Sequence, residues 1–149
     1  MRHLITGISL LLFVSSALGQ ETDSLAVARQ VDSLIQISRA LTATHQFDKA
    51  LETNVAAEKI ALDYFGRNSA AYASCCFNHG RVLHQGNNPG AAEKWYIESK
   101  DIRGNVLGKE HPDYAWSLNN LGGVYRDIGA YDKAEPLLLE AKTIRGNAL

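Results

Sequence analysis

Residues 66–107 read GRNSAAYASCCFNHGRVLHQGNNPGAAEKWYIESKDIRGNVL, and residues 108–149 read GKEHPDYAWSLNNLGGVYRDIGAYDKAEPLLLEAKTIRGNAL. The second stretch lies on the first without a gap at a spacing of 42 residues, and fifteen positions carry the same residue. The matches include Tyr72/Tyr114, Asn78/Asn120, Gly80/Gly122, Ala92/Ala134 and the run Ile102-Arg103-Gly104-Asn105, which returns as Ile144-Arg145-Gly146-Asn147. A fainter copy stands one period upstream of residue 66, where Phe47-Asp48-Lys49-Ala50 takes the place of Tyr131-Asp132-Lys133-Ala134. A fixed period of this size is the signature of a solenoid. Each unit buries its apolar face only against its neighbours, so the product is an extended surface and not a pocket. The expectation is a binding protein, not an enzyme.

Apolar residues at helical spacing and the breakers between them predict six helices, over about 23–43, 48–64, 70–84, 91–103, 113–128 and 132–145. Gly86-Asn87-Asn88-Pro89-Gly90 is a turn cluster. Pro112 suits a first helical turn, where its missing N–H has no partner to lose, and Asp113 sets a negative charge at the positive helix end. Pro136 is expected to loosen the start of the last helix. The fold class is therefore all-α, an α-solenoid of three helix–turn–helix repeats over residues 24–65, 66–107 and 108–149.

Residues of recurring size mark the packing positions. In the third unit they are Leu118, Leu121, Gly122, Tyr125, Ala134, Leu138 and Ala141. The second unit has Cys76, His79, Gly80, Leu83, Ala92, Tyr96 and Ser99 there, and the first has Leu34, Ile37, Ser38, Leu41, Ala50, Asn54 and Ala57. This pattern resembles the tetratricopeptide repeat, a helix pair of about 34 residues in which small and large residues alternate across the contact. The longer unit narrows the resemblance. Leu107-Gly108-Lys109-Glu110-His111-Pro112-Asp113, followed by Ser117-Leu118-Asn119-Asn120-Leu121, looks like the 42-residue variant found in kinesin light chains and many bacterial repeat proteins. His79 and Asn54 depart from the large apolar residues of that pattern.

The resemblance implies that the first helix of each pair lines a concave groove, and that a recurring asparagine bonds the backbone of an extended peptide. Asn78 and Asn120 match that position, and Gln36 occupies it in the first unit. An amide side chain offers a donor and an acceptor together, so it pairs with a peptide unit without reading its sequence. On the same face lie Arg39, Arg81 and Arg126, with Phe77, Asn119 and Trp116 beside them. The expected groove is mildly basic and partly aromatic, and its arginines suit acidic side chains or a terminal carboxylate. The expected partner is a protein or peptide. The competing reading is that the asparagines only bridge adjacent helices. Most of Trp95, Tyr96, Tyr125 and Tyr131 fall on packing positions and read as core, with Trp116 the exception.

Cys75, Cys76, His79 and His84 form the one cluster with metal-binding or nucleophilic residue types. Two ligands on a helix can begin a zinc or copper site, but closing it needs more ligands than the sequence supplies. Cys76 falls on a packing position, which favours a small buried hydrophobe. No cofactor is implied.

Fifteen basic residues stand against sixteen acidic ones, a formal charge of −1, which argues against a nucleic-acid or anionic membrane partner. The first nineteen residues differ in kind: Arg2 and His3 lead an apolar stretch that starts at Leu4 and runs to Val14, then small residues at Ala17 and Gly19. This is the order of a cleavable signal peptide, too short for a membrane span, and it predicts a secreted or periplasmic protein with no stable membrane anchor. Leu149 aligns with Leu107, after which a further connector begins. Two expectations follow: the array is the N-terminal arm of a longer signalling or protease protein, or its bare end, with Leu137, Leu139 or Ile144 exposed, stacks in self-association.

Overall fold

The computed structural model describes the backbone of residues 5–147 and the side chains of residues 22–147. The expected signal peptide over residues 1–19 lies outside the described side chains. Among the described residues six helices follow one another: α1 (Ile5–Ala43), α2 (Phe47–Phe65), α3 (Ala70–Gln85), α4 (Pro89–Val106), α5 (Pro112–Asp127) and α6 (Tyr131–Asn147). The last five agree with the sequence reading to within a few residues. α1 runs back past the expected start near residue 23, and α6 passes through Pro136 without a break.

Local chemistry sets the ends. Ser69 caps α3 by accepting the Tyr72 N–H, and Asn88 caps α4 by accepting the Ala91 N–H, with Pro89 in the first turn. His111 caps α5 through Nδ1, which accepts the Asp113 N–H at 3.1 Å. The repeat is also written into the backbone. His45, Asn87 and Gly129 occupy the same repeat position in the three hairpin turns, and all three are left-handed, with φ of 60°, 62° and 79°. Only the third unit uses the residue that adopts this conformation without steric cost.

Each helix packs on the next, and contacts also join α1 to α3 and α3 to α5. Among the described residues no such contact joins α2 to α4 or α4 to α6. The first helices are therefore the crowded inner layer and the second helices the splayed outer one, which curves the stack toward α1, α3 and α5. Close approach within a pair rests on glycine. A Cβ on Gly122 would sit 2.8 Å from Leu138 Cγ, and one on Gly80 would sit 3.0 Å from Tyr96 Cδ1. The packing positions read from the sequence are buried or half-buried with one exception, Ile37, which is 49% exposed. Its counterpart Leu121 packs against Phe77 and Tyr96 of the preceding unit, whereas Ile37 belongs to the first unit.

The seam between the first two units is polar. Ser38 Oγ donates to the Ala50 carbonyl at 2.8 Å, and Asn54 Nδ2 donates to the Cys75 carbonyl at 3.1 Å and to Glu58 Oε1 at 2.6 Å. His79 Nδ1 meets the same Glu58 oxygen at 2.5 Å, and its ring stacks on Trp95 at 3.8 Å between centroids. The two departures from the repeat pattern, Asn54 and His79, thus compensate each other across the units, since buried polar groups need partners. Ile144, expected to be exposed, is buried with Tyr114, Ala115, Leu118 and Ala141, because α6 turns that edge onto α5. Leu139 is 62% exposed, and Tyr131, read as core, is 67% exposed. Among the described residues no helix is long and apolar enough to cross a membrane.

Candidate functional site

The inner layer carries a recess of about 400 Å³ lined by Arg39, Phe77, Arg81, Arg103, Asp113, Trp116 and Asn120. It gathers side chains from α1, α3, α4 and α5. Five expected groove residues meet here: Arg39, Phe77, Arg81, Trp116 and Asn120. Trp116 also borders a second recess, of about 490 Å³, with Pro112, Asn119, Leu138, Lys142, Arg145 and Gly146. The two recesses thus share one aromatic wall, and Asn119 belongs to the second. The Arg145 guanidinium lies 4.9 Å from the Trp116 ring centre.

The remaining expected residues go elsewhere. Arg126 lines a separate trough with Tyr131, Ala134, Glu135, Leu138, Leu139 and Lys142. Its Nε donates to Asp127 at 3.4 Å, and it does not converge with Arg39 and Arg81. Gln36 is exposed and lines none of these recesses. Asn78 is wholly buried in the wall: its Nδ2 donates to Ser38 Oγ and to Asn54 Oδ1, both at 2.9 Å. Both amide hydrogens serve the seam between units, which is the bridging role weighed against ligand contact. Asn120 is half-buried at the recess, with Nδ2 donating to the Trp116 carbonyl at 2.9 Å.

Arg103 and Asp113 line the recess but stand outside the expected groove set. The signal was the recurrence of Ile-Arg at 102–103 and 144–145, which marks the end of each second helix. Arg103 is 5% exposed. Its Nη1 donates to the Asp113 carbonyl at 2.9 Å and to Ser117 Oγ at 3.0 Å, and its guanidinium lies 4.6 Å from the Phe77 ring centre. Ser117 in turn meets Ser99 Oγ at 3.1 Å, and Ser99 reaches the Ala73 carbonyl, so Arg103 is tied into the joint between the second and third units. Burial lowers the Arg103 pKa; the Asp113 carboxylate opposes that, and the Arg39 charge adds to it. Burial, and then the Arg39 charge, lower the pKa of Arg81 as well. These guanidiniums therefore feel one another across the recess.

The cysteine–histidine cluster does not converge. His79 is engaged with Glu58 and His84 Nε2 with Asp127 Oδ2 at 2.7 Å. Cys75 and Cys76 are free thiols buried in the core, and burial pushes each thiol up to about 12. A nucleophilic or metal-binding cysteine needs a thiolate near neutral pH, and this environment suppresses one. Among the described residues no group of three or more His, Cys, Asp or Glu side chains is placed to hold a metal.

Residues 78–146 match the family model of the tetratricopeptide repeat. Among solved structures, the chain is similar to a Podosopora anserina putative kinesin light chain with nearly identical TPR-like repeats. The TM-score is 0.74 at 19% identity, over 83% of this chain and 58% of that one. It is similar also to BtubC (BKLC) from P. vanneervenii, with a TM-score of 0.71 at 21% identity, over 97% of this chain and 63% of that one. The chain thus spans less than two thirds of the length of either structure, and at these identities the likeness is one of fold. No curated protein matches the chain.

Proposed function

We propose that this chain, a tetratricopeptide-repeat protein, is a non-catalytic scaffold that holds an extended segment of another protein along the inner face of α3 and α5. The observation that carries this reading is the recess in which Arg39, Phe77, Arg81, Trp116 and Asn120 meet. Trp116 is 46% exposed there, unlike the buried Tyr72 and Tyr96, and an exposed tryptophan in a recess is the kind of residue that anchors interfaces. Phage selection of random peptides on the immobilised protein tests the reading. Selected peptides should lose binding to Trp116→Ala and weaken on Asn120→Ala, with far-UV circular dichroism unchanged. If no peptide is enriched, or the enriched ones bind both variants as well as the parent, the groove is not the binding surface.

The sequence of residues 1–19 supports export, with cleavage after Gly19. The intact mass of the protein recovered from its source organism decides this, and a retained Met1 would end the export reading.

A second reading makes the array the arm of a longer signalling or protease protein. The trough lined by Tyr131, Ala134, Leu138 and Leu139 favours it, because a following helix pair would cover that apolar surface. A second copy of this chain is the other candidate for it, and sedimentation at rising concentration tests that copy: a constant monomer removes self-association.

A further inference from the structure

We infer that copies of this chain join head to tail. The outward face of α1 in one copy seats on α6 of the next, in the register that α5 keeps on α4 within the chain. This takes up the second copy as occupant of the trough and assigns the face of that copy that fits. It stands independently of the inner-face groove.

The joint between the second and third units is the template. Leu121 and Val124 of α5 pack there on Ala92 and Tyr96 of α4, and Tyr125 Oη donates to Glu93 Oε1 at 2.8 Å. The Tyr114 ring covers Gly104, where a Cβ would sit 3.1 Å from it. Arg103 Nη1 bonds the Asp113 carbonyl and Ser117 Oγ.

One period later α6 repeats the α4 half of this joint, with Ala134, Glu135, Leu138, Arg145 and Gly146 in the places of Ala92, Glu93, Tyr96, Arg103 and Gly104. Among the described residues that half is uncovered. Leu139 is 62% exposed, whereas its counterpart Ile97 packs against the α4–α5 cluster. A Cβ on Gly146 would meet nothing within 4 Å, and Arg145 is exposed where Arg103 is buried. The arginine is nonetheless kept in position. Arg103 lies over the Phe77 ring, and Arg145 lies over Trp116, although the counterpart of Phe77 is Asn119. Leu138 and Lys142 line both the recess beside Trp116 and the trough beside Tyr131, so the two are adjoining parts of one seat.

The other half stands on α1. Two periods before Ser117, Leu118 and Leu121 come Ser33, Leu34 and Ile37. Ser117, Val124 and Leu121 are buried in their joint, whereas Ser33, Ile37 and Ala40, the counterpart of Val124, are exposed. Seated in register, Ile37 covers Leu138 as Leu121 covers Tyr96, and Leu41 takes the Tyr125 place beside Leu139. Arg145 reaches the Arg29 carbonyl and Ser33 Oγ. The Arg29 charge opposes Arg145, and the Asp32 carboxylate, at the Trp116 position beside that arginine, offsets it. A contact between two different faces does not end at a dimer; it continues into a ring or a filament.

Sedimentation velocity of the full chain at rising concentration tests this with two variants. Ile37→Asp spoils the α1 face and Leu139→Asp the α6 face, and both positions are exposed, so circular dichroism should be unchanged. If Ile37→Asp loses helicity, Ala40→Glu replaces it on the same face. The parent should grow past the dimer. Each variant alone should associate about tenfold or more weakly, since a carboxylate would be buried in the contact without a partner. Their equimolar mixture should recover association and stop at a one-to-one dimer, because each variant keeps the face that the other has lost. A parent that stays monomeric, or that stops at a dimer, overturns the inference. So does a mixture that fails to associate. Either variant associating as well as the parent means that like faces meet, and overturns it too. None of these outcomes touches the peptide groove, which the phage selection decides.

Discussion

Gly122 and Gly123 are neighbours in α5, and the structure assigns alanine substitutions at the two positions opposite signs. Both glycines are helical, so each replacement gains the propensity difference of about 1 kcal/mol. The surroundings differ. At Gly123 the nearest atom to a new Cβ is His84 Cε1, 3.8 Å away, an ordinary contact. Gly123→Ala should therefore stabilise by nearly the full propensity gain. At Gly122 the new Cβ would meet Leu138 Cγ at 2.8 Å, Leu138 Cδ2 at 2.9 Å and the Ala134 carbonyl at 3.3 Å. Leu138 cannot simply swing aside, because its branch point is one of the clashing atoms, so α6 must move off α5. Overpacking of this kind costs about 1–3 kcal/mol. After the propensity gain, Gly122→Ala should be destabilised by up to about 2 kcal/mol, and the two variants should differ by about 1–3 kcal/mol. Urea unfolding followed by circular dichroism reads the difference, and thermal melts should order the same way, at roughly 4 °C per kcal/mol for a chain of this size. Gly122→Ala proving as stable as Gly123→Ala would refute the claim that the third repeat depends on this approach.

Other outcomes follow from the turns, the thiols and one surface pair. His45→Gly and Asn87→Gly should each stabilise by about 0.5–1 kcal/mol, since glycine removes the left-handed strain that His45 and Asn87 bear at φ of 60° and 62°; a loss of stability in urea would contradict this. Cys75 and Cys76 should resist a thiol reagent in the native state and react once urea is added; fast native labelling would refute their burial. Because both folded-state thiol pKa values are raised, from 9.0 to about 12, the native state holds protons that the unfolded chain has released. Stability should thus be level below about pH 9 and fall as the pH rises toward 12, so a flat alkaline limb would count against it. The Asp127 carboxyl is held below its ordinary value, first by the hydrogen bond from His84. Its small contribution should be present above about pH 4 and fade as acid protonates it, and Asp127→Asn should remove that part of the acid dependence.

The period, the three pairs, the turns and the glycine contacts were all legible because they are set by residues close in sequence or repeated at one spacing. What one unit does to the next was not. Ile37 is a packing residue by position and exposed in fact, because its partner would come from a preceding pair. Ile144 reads as a bare edge and is covered by α5. Arg103 sits in a visible repeat of Ile-Arg, yet its place in the recess depends on the last turns of α4 meeting α5 beside α3, a geometry that spacing alone does not give. The candidate site was half legible for the same reason: Arg39, Phe77, Arg81, Trp116 and Asn120 do converge, while Arg126, at the end of α5, lines a separate trough with Tyr131 and Leu139.

The two matching asparagines show how neighbours decide a role. Asn78 and Asn120 hold the same repeat position, but Asn78 finds Ser38 Oγ and Asn54 Oδ1 as acceptors and is drawn wholly into the wall. One period later those two positions are Gly80 and Tyr96. Gly80 has no side-chain acceptor, and the Tyr96 ring fills the space instead, close against Gly80 itself. Asn120 therefore turns back to its own helix, bonding the Trp116 carbonyl, and stays at the recess. Hydrogen exchange of the side-chain amides should separate them: the Asn78 NH2 protected through most of the native lifetime, the Asn120 NH2 exchanging rapidly. The Ser38→Gly variant should speed exchange at Asn78 and leave Asn120 unchanged. Equal exchange at the two amides in the parent protein would mean that position in the repeat, and not the neighbouring unit, determines which asparagine a ligand can meet.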